Sequence, residues 1–204
     1  LQSTDENILN NIKRANISLE ALDVMRQETG ESGGDTYTEL ILGLPGDSKK
    51  AHIKTLKDVI DADMGIIRMY QLILLPQTEL NTPDTRNAYE MKTKHRLMPR
   101  SFGKYEILGK EFCAIESEEI CIENNSLSFN DYVECRELDM TVEIIHNGGI
   151  FDELKGFCKW LELSWFDFLM MFYAGRRSHS EGITKLYDTF REQTTEDIFD
   201  TRDE

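Results

Sequence analysis

In the stretch Thr36-Tyr-Thr-Glu-Leu-Ile-Leu-Gly-Leu-Pro-Gly46 an apolar run passes into a turn made from Gly43, Pro45 and Gly46, with Asp47 and Ser48 placed where a helix would begin. Strand, glycine turn and helix in that order gather backbone N–H groups and a helix N-terminus at the strand's C-terminal end, where α/β folds bind ligands. The same pattern is also the ordinary βα turn of any α/β domain. A Walker phosphate loop is excluded, because Gly43 and Gly46 stand too close and no Gly-Lys-Ser/Thr follows. The four cysteines, Cys113, Cys121, Cys135 and Cys158, are separated by 8, 14 and 23 positions, which fits no local zinc or iron–sulfur loop. They read as reduced thiols used for packing, with Cys135 and Cys158 on apolar helix faces. His52, His95, His146 and His179 show no nucleophile–base or metal-pair spacing, and no Gly-x-Ser-x-Gly turn is present, so a hydrolase is poorly supported. Arg176-Arg177 suits either an anionic group or plain surface, and Glu118-Glu119 reads as a solvated face.

The elements that must position these residues follow from periodicity. Residues 1–4 resemble the end of a strand. Thr4 or Asp5 then caps a helix with Ile8, Leu9 and Ile12 on one face and Lys13-Arg14 in its last turn. A second helix carries Leu19, Leu22 and Met25 and stops in a glycine-rich connection at 30–34. A strand over 36–42, an amphipathic helix over 48–63 with Ile53, Leu56, Val59 and Ile60 inward, and an apolar run over 65–75 make a βαβ unit, hence a parallel sheet. Three strands are too few for a sheet covered on both faces, so a part is expected to be missing on the N-terminal side. After Pro76 the pattern predicts a helix over 82–94, a loop over 96–105 containing Pro99 and Gly103, a short strand over 119–123, and helices from Ser128 onward. The segment 165–173 is apolar nearly all round, fit for a core or an interface. The expected boundary falls near residue 82.

Composition narrows the partners. The chain of 204 residues has 40% hydrophobic residues, 9% aromatics and a formal net charge of −15, which argues against broad contact with nucleic acid or anionic membrane. No apolar run is long enough to span a membrane, and the first residues carry Asp5 and Glu6 rather than a signal peptide, so a cytoplasmic location is expected. Glu192, Glu196, Asp197, Asp200, Asp203 and Glu204 read as a solvated, fraying tail. Because the chain starts at Leu1 rather than Met, it is expected to be a piece of a longer protein.

These residues together resemble the later half of a radical S-adenosylmethionine (SAM) barrel, closest to the family that carries a cobalamin-binding domain. Leu1-Gln-Ser-Thr-Asp5 with Ile8-Leu-Asn-Asn-Ile-Lys-Arg14 is similar to the fourth strand and its helix. Thr38-Glu-Leu-Ile-Leu-Gly-Leu-Pro-Gly-Asp47 is similar to the fifth strand, and the run at 66–75 followed by Pro76-Gln-Thr-Glu-Leu80 to the sixth. The resemblance implies an α/β fold: strands four to six of a partial (β/α)6 barrel in residues 1–81, then a mainly helical C-terminal domain in residues 82–204.

Carried over by resemblance, Gln2 contacts the SAM ribose, Arg14 pairs with its carboxylate, and Glu39 meets the ribose or amino group. Gly43 lets the backbone approach, and Gln71 and Leu72 line the adenine side. The residue types suit a zwitterionic sulfonium: a guanidinium for the carboxylate, a carboxylate for the ammonium or hydroxyls. Arg14 equally suits the C-terminal dipole of its helix, whereas Glu39 in a buried strand would be a costly unpaired charge. The family's Cys-x-x-x-Cys-x-x-Cys loop is absent, and so is a cobalamin domain. The implication is a chain that contributes part of a SAM pocket and a substrate-side cover. The [4Fe-4S] cluster and cobalamin would be held elsewhere in a full-length parent, and this chain would be inactive alone. Its partners would be the other half of the barrel, in the same or a separate chain, and a small-molecule substrate. The parent reaction would be hydrogen abstraction by a 5′-deoxyadenosyl radical or cobalamin-assisted methyl transfer. A different class also fits the residues: a non-catalytic α/β module that docks on a partner chain.

Overall fold

The computed structural model describes residues 1–16, 21, 24 and 36–201. The expected helix with Leu19, Leu22 and Met25 and the glycine-rich connection lie outside the described residues. Helix α1 (Glu6–Asn11) is capped by Asp5, whose carboxylate accepts from the N–H groups of Asn7 and Ile8, and it buries Ile8 and Leu9. It ends earlier than the sequence predicts: Lys13 turns at φ 54° and Arg14 lies beyond the last helical turn.

Strand β1 (Tyr37–Leu42), helix α2 (Lys49–Asp61, capped by Ser48) and strand β2 (Ile66–Gln71) form the βαβ unit. The strands pair in parallel from Tyr37↔Ile66 to Leu42↔Gln71. The expected third strand is not formed. Residues 1–3 are irregular, and the Gln2 carbonyl accepts one bond from the Ile41 N–H at 3.1 Å beside β1. Beyond β2 the chain turns through Glu79–Asn81 into the short helix α3 (Pro83–Ala88).

From there the structure departs from the expected helix and loop. Strands β3 (Lys92–Ile107) and β4 (Lys110–Glu123) make a long antiparallel hairpin closed by Leu108 and Gly109, both at positive φ, the geometry of a two-residue primed turn. Pro99 is tolerated because the register slips between Leu97 and Phe102, so it falls in a bulge rather than in the ladder. Near its base the hairpin bonds to the chain after β2, through Leu74 N–H to Glu119 O and Cys121 N–H to Leu72 O.

The helical part follows: α4 (Phe129–Val142), a π turn (Glu143–Asn147), α5 (Asp152–Trp160), α6 (Trp165–Ala174) and α7 (Glu181–Glu196). The structure is therefore α/β with a helical C-terminal part, and that part also carries the hairpin. Of the expected fraying tail, Asp203 and Glu204 lie outside the described residues, and before them Phe199 exchanges two backbone hydrogen bonds with His95 on β3, at 2.8 and 2.9 Å. The apolar segment of α6 is mostly core, with Trp165, Phe166, Leu169 and Tyr173 buried and Met171 exposed.

The largest core joins Leu40, Leu56 and Ile67 of the βαβ unit to Leu138, Trp165 and Tyr187 of the helices. It crosses residue 82. On the outer edge of β2, the Asn147 side chain imitates a strand: its amide oxygen accepts from the Ile67 N–H at 2.9 Å and its nitrogen donates to the Ile67 carbonyl at 2.7 Å. The π turn that presents Asn147 also buries His146, whose Nε2 donates to the Met64 carbonyl while Nδ1 accepts from the Trp165 indole.

Candidate functional site

The two-residue period of β1 decides the site. Thr38, Leu40 and Leu42 face α2 and the core, while Tyr37 and Glu39 face out and Ile41 is half-buried. The parallel register places Ile41 beside Tyr70, so one face of the sheet is packed and the other is open. Over the open face lies a cavity of about 640 Å³ lined by Gln2, Arg14, Glu39, Gln71 and Leu72, with Tyr37, Tyr70, Ile41 and Leu80 among its other walls.

Five of the six sequence-derived site residues are thus brought together from four separate segments. Gly43 is not among the lining residues. It turns the chain at φ +86°, which a side chain would strain, and its N–H donates to the buried Asp47 carboxylate at 2.9 Å. Asp47 also accepts from the Ser48 N–H at 2.8 Å, so those turn amides are used internally.

Glu39 is exposed rather than buried, and it accepts a 2.5 Å hydrogen bond from the Tyr37 hydroxyl. That bond, followed by one involving Tyr70, holds the Tyr37 phenol well above its ordinary pKa. Gln71 is buried, and its side-chain oxygen accepts from the Arg96 guanidinium, which also binds Glu118 at 2.6 Å. The cavity offers a guanidinium, a carboxylate, amides, two phenols and an apolar wall. That set can hold a small molecule carrying both charges and a flat ring. The sequence reading missed Tyr37 and Tyr70. The signal for Tyr37 was present, since it precedes Glu39 by two positions and must share its strand face.

The cysteines do not fit an iron–sulfur cluster. Cys121, Cys135 and Cys158 are buried, and burial pushes the Cys121 thiol up to about 11 and raises Cys135 as well, the opposite of a thiolate ligand. Among the described residues no group of three or more His, Cys, Asp or Glu side chains is placed to hold a metal ion.

No protein-family model matches the chain. Two relatives do. A 2-(S-pantetheinyl)-carbapenam-3-carboxylate methyltransferase of Streptantibioticus cattleyicolor is 32% identical over 149 residues, 72% of this chain and 21% of that protein. The cobalamin-dependent radical SAM methyltransferase TokK of Streptomyces tokunonensis is 28% identical over 196 residues, 96% of this chain and 26% of that protein. The likeness, 32% identity over 72% of the chain, shows that the chain belongs to the family of these relatives. More particularly, it is a relative of the cobalamin-binding radical SAM proteins, as the sequence resemblance implies, and spans about a fifth to a quarter of the length of the relatives it matches.

Proposed function

We propose that this chain is one part of a cobalamin-dependent radical SAM methyltransferase and supplies part of its SAM pocket. The observation that carries the reading is the cavity on the open face of the β1–β2 sheet, where Gln2, Arg14, Glu39, Gln71 and Leu72 meet. A two-stranded parallel sheet packed on one face and lined with polar and aromatic side chains on the other is what strands five and six of an opened barrel would present, with residues 1–3 running alongside without forming a fourth strand. Both relatives are named methyltransferases, which favours methyl transfer over hydrogen abstraction as the parent's reaction.

SAM supplies an electrophilic methyl group and, on reductive cleavage, a 5′-deoxyadenosyl radical. The roles of this chain's residues are binding and orientation. Arg14 pairs with the methionyl carboxylate, and Glu39 accepts from the ammonium or ribose hydroxyls. Gln2 adds an amide to the ribose, while Gln71 and Leu72 bound the adenine. Tyr37, bonded to Glu39, holds that carboxylate in one orientation. The hairpin and helices of residues 82–204 would cover the substrate side. The other half of the barrel, the iron–sulfur cluster and cobalamin would belong to the rest of the enzyme, and alone the chain is expected to transfer no methyl group.

The test is isothermal titration of SAM into the protein that carries this stretch. Arg14→Ala and Glu39→Gln should each weaken binding by about tenfold, the loss of one charge-assisted contact. Unchanged affinity in both variants would refute the reading.

A further inference from the structure

A second cleft lies on the other side of the hairpin's base, between β3–β4, α4, α7 and the chain that follows α7. Its volume is also about 640 Å³, within the range of small-molecule sites. Ile120 and Phe199 contribute apolar wall, and Tyr132, Arg136, Arg96 and Phe190 supply the chemistry.

Tyr132 is only 2% exposed, and among the described residues its hydroxyl has no hydrogen-bond partner. The hydroxyl is not sealed in the core, since the enclosed side-chain atom without a partner among the described residues is His95 Nδ1, so the Tyr132 oxygen opens onto the cleft. One helical turn on, Arg136 carries five N–H donors. Among the described residues its only hydrogen bond is to Asp139, an ion pair at 3.5 Å, and Asp139 sits closer to His52, at 2.8 Å. The Arg136 guanidinium packs over the Phe190 ring at 5.8 Å, which leaves its edge for a ligand. Arg96 is already committed to Glu118 and Gln71. What the cleft leaves unspent are donors, one hydroxyl and one guanidinium, set among apolar walls. Glu196 and Asp197 stand on the rim, exposed, where solvent and salt screen them.

We propose that this cleft is a ligand site distinct from the SAM cavity, for a small amphipathic molecule ending in a carboxylate. The carboxylate takes the Tyr132 hydroxyl and the Arg136 guanidinium, and the apolar body lies against Ile120 and Phe199. The inference does not depend on the SAM reading, because it uses none of that cavity's proposed ligands.

Phenylacetate and phenylacetamide, equal in shape and different in charge, are the probes, titrated into the full chain by calorimetry. The acid should bind about tenfold more tightly than the amide, as expected for a charge-assisted contact. Tyr132→Phe keeps the ring and its stacking on Phe129 and removes only the unpartnered hydroxyl, so it should melt like the native protein. It should weaken phenylacetate several-fold, as should Arg136→Gln, while Arg14→Ala in the other cavity changes nothing. Equal affinity for acid and amide, unaltered binding by Tyr132→Phe, sensitivity to Arg14→Ala, or no binding of phenylacetate in the millimolar range would each overturn the proposal.

Discussion

His52 on α2 and Asp139 on α4 meet at 2.8 Å inside the protein, both almost fully buried. Burial by itself would lower the imidazole pKa. The charge of Asp139 and its hydrogen bond outweigh that, and His52 ends above its ordinary value. A histidine whose folded pKa is raised stabilises most below its unfolded pKa of about 6.5, and loses that contribution as pH rises through the folded value. The unfolding free energy from urea titration should therefore fall as pH rises from about 6.5, and His52→Gln should flatten that part of the curve. A native curve that climbs over this interval, or a variant with the same slope, would contradict the assignment. Single residues were the least legible level of the sequence. Arg176 and Arg177 read as an anion grip or a surface pair, yet with Arg191 they surround the fully buried Glu137. Glu137 stands some forty positions earlier, and no helical or strand period links them. Glu39 read as a buried charge because parallel strands are usually covered on both faces, and here one face is open.

At the scale of elements, the hairpin behaves as two pieces. Its base is fastened by Arg96 to Glu118, by Arg86 and Thr93 to Glu119, and by the bonds to Leu72, Leu74 and Phe199. Beyond the bulge, Tyr105, Ile107 and Phe112 share one exposed face, and among the described residues the two strands there pair only with each other. A two-stranded ribbon alone in water is marginal. Amide hydrogens of 102–115 should thus exchange orders of magnitude faster than those of 92–97 and 117–123, measured by hydrogen exchange with mass spectrometry. Uniform protection along the hairpin would mean that its outer half is supported. Helices α2, α4 and α7 were legible because their apolar positions recur at helical spacing behind Ser48, Ser128 and Ser180, each of which caps its helix, whereas α6, capped by Ser164, is apolar nearly all round. Of the hairpin only the alternating stretch 119–123, the end of β4, was legible as strand. Pro99 and Gly103 are loop signals, and each is absorbed locally: Pro99 by the register slip, Gly103 by the Tyr105 ring, which would lie 2.8 Å from an added Cβ.

The molecule as a whole is organised by a sheet with unequal faces. Its packed face carries the main core, and the edge of β2 is closed by the Asn147 amide. Among the described residues the edge of β1 receives one backbone bond, from its Ile41 N–H to the Gln2 carbonyl, and the open face presents Tyr37 at 53% and Tyr70 at 46% exposure. Unpaired strand edges and exposed apolar faces both favour association. If the rest of a barrel normally lies over this face, the chain alone should satisfy it with copies of itself. Size-exclusion chromatography with light scattering should then give masses above 23.6 kDa that rise with concentration. Charged substitutions at Tyr37 and Tyr70 should return the mass toward the monomer, since they make the face soluble without touching the packed side. A monomer at every concentration would show that the open face is stable in water and needs no covering half.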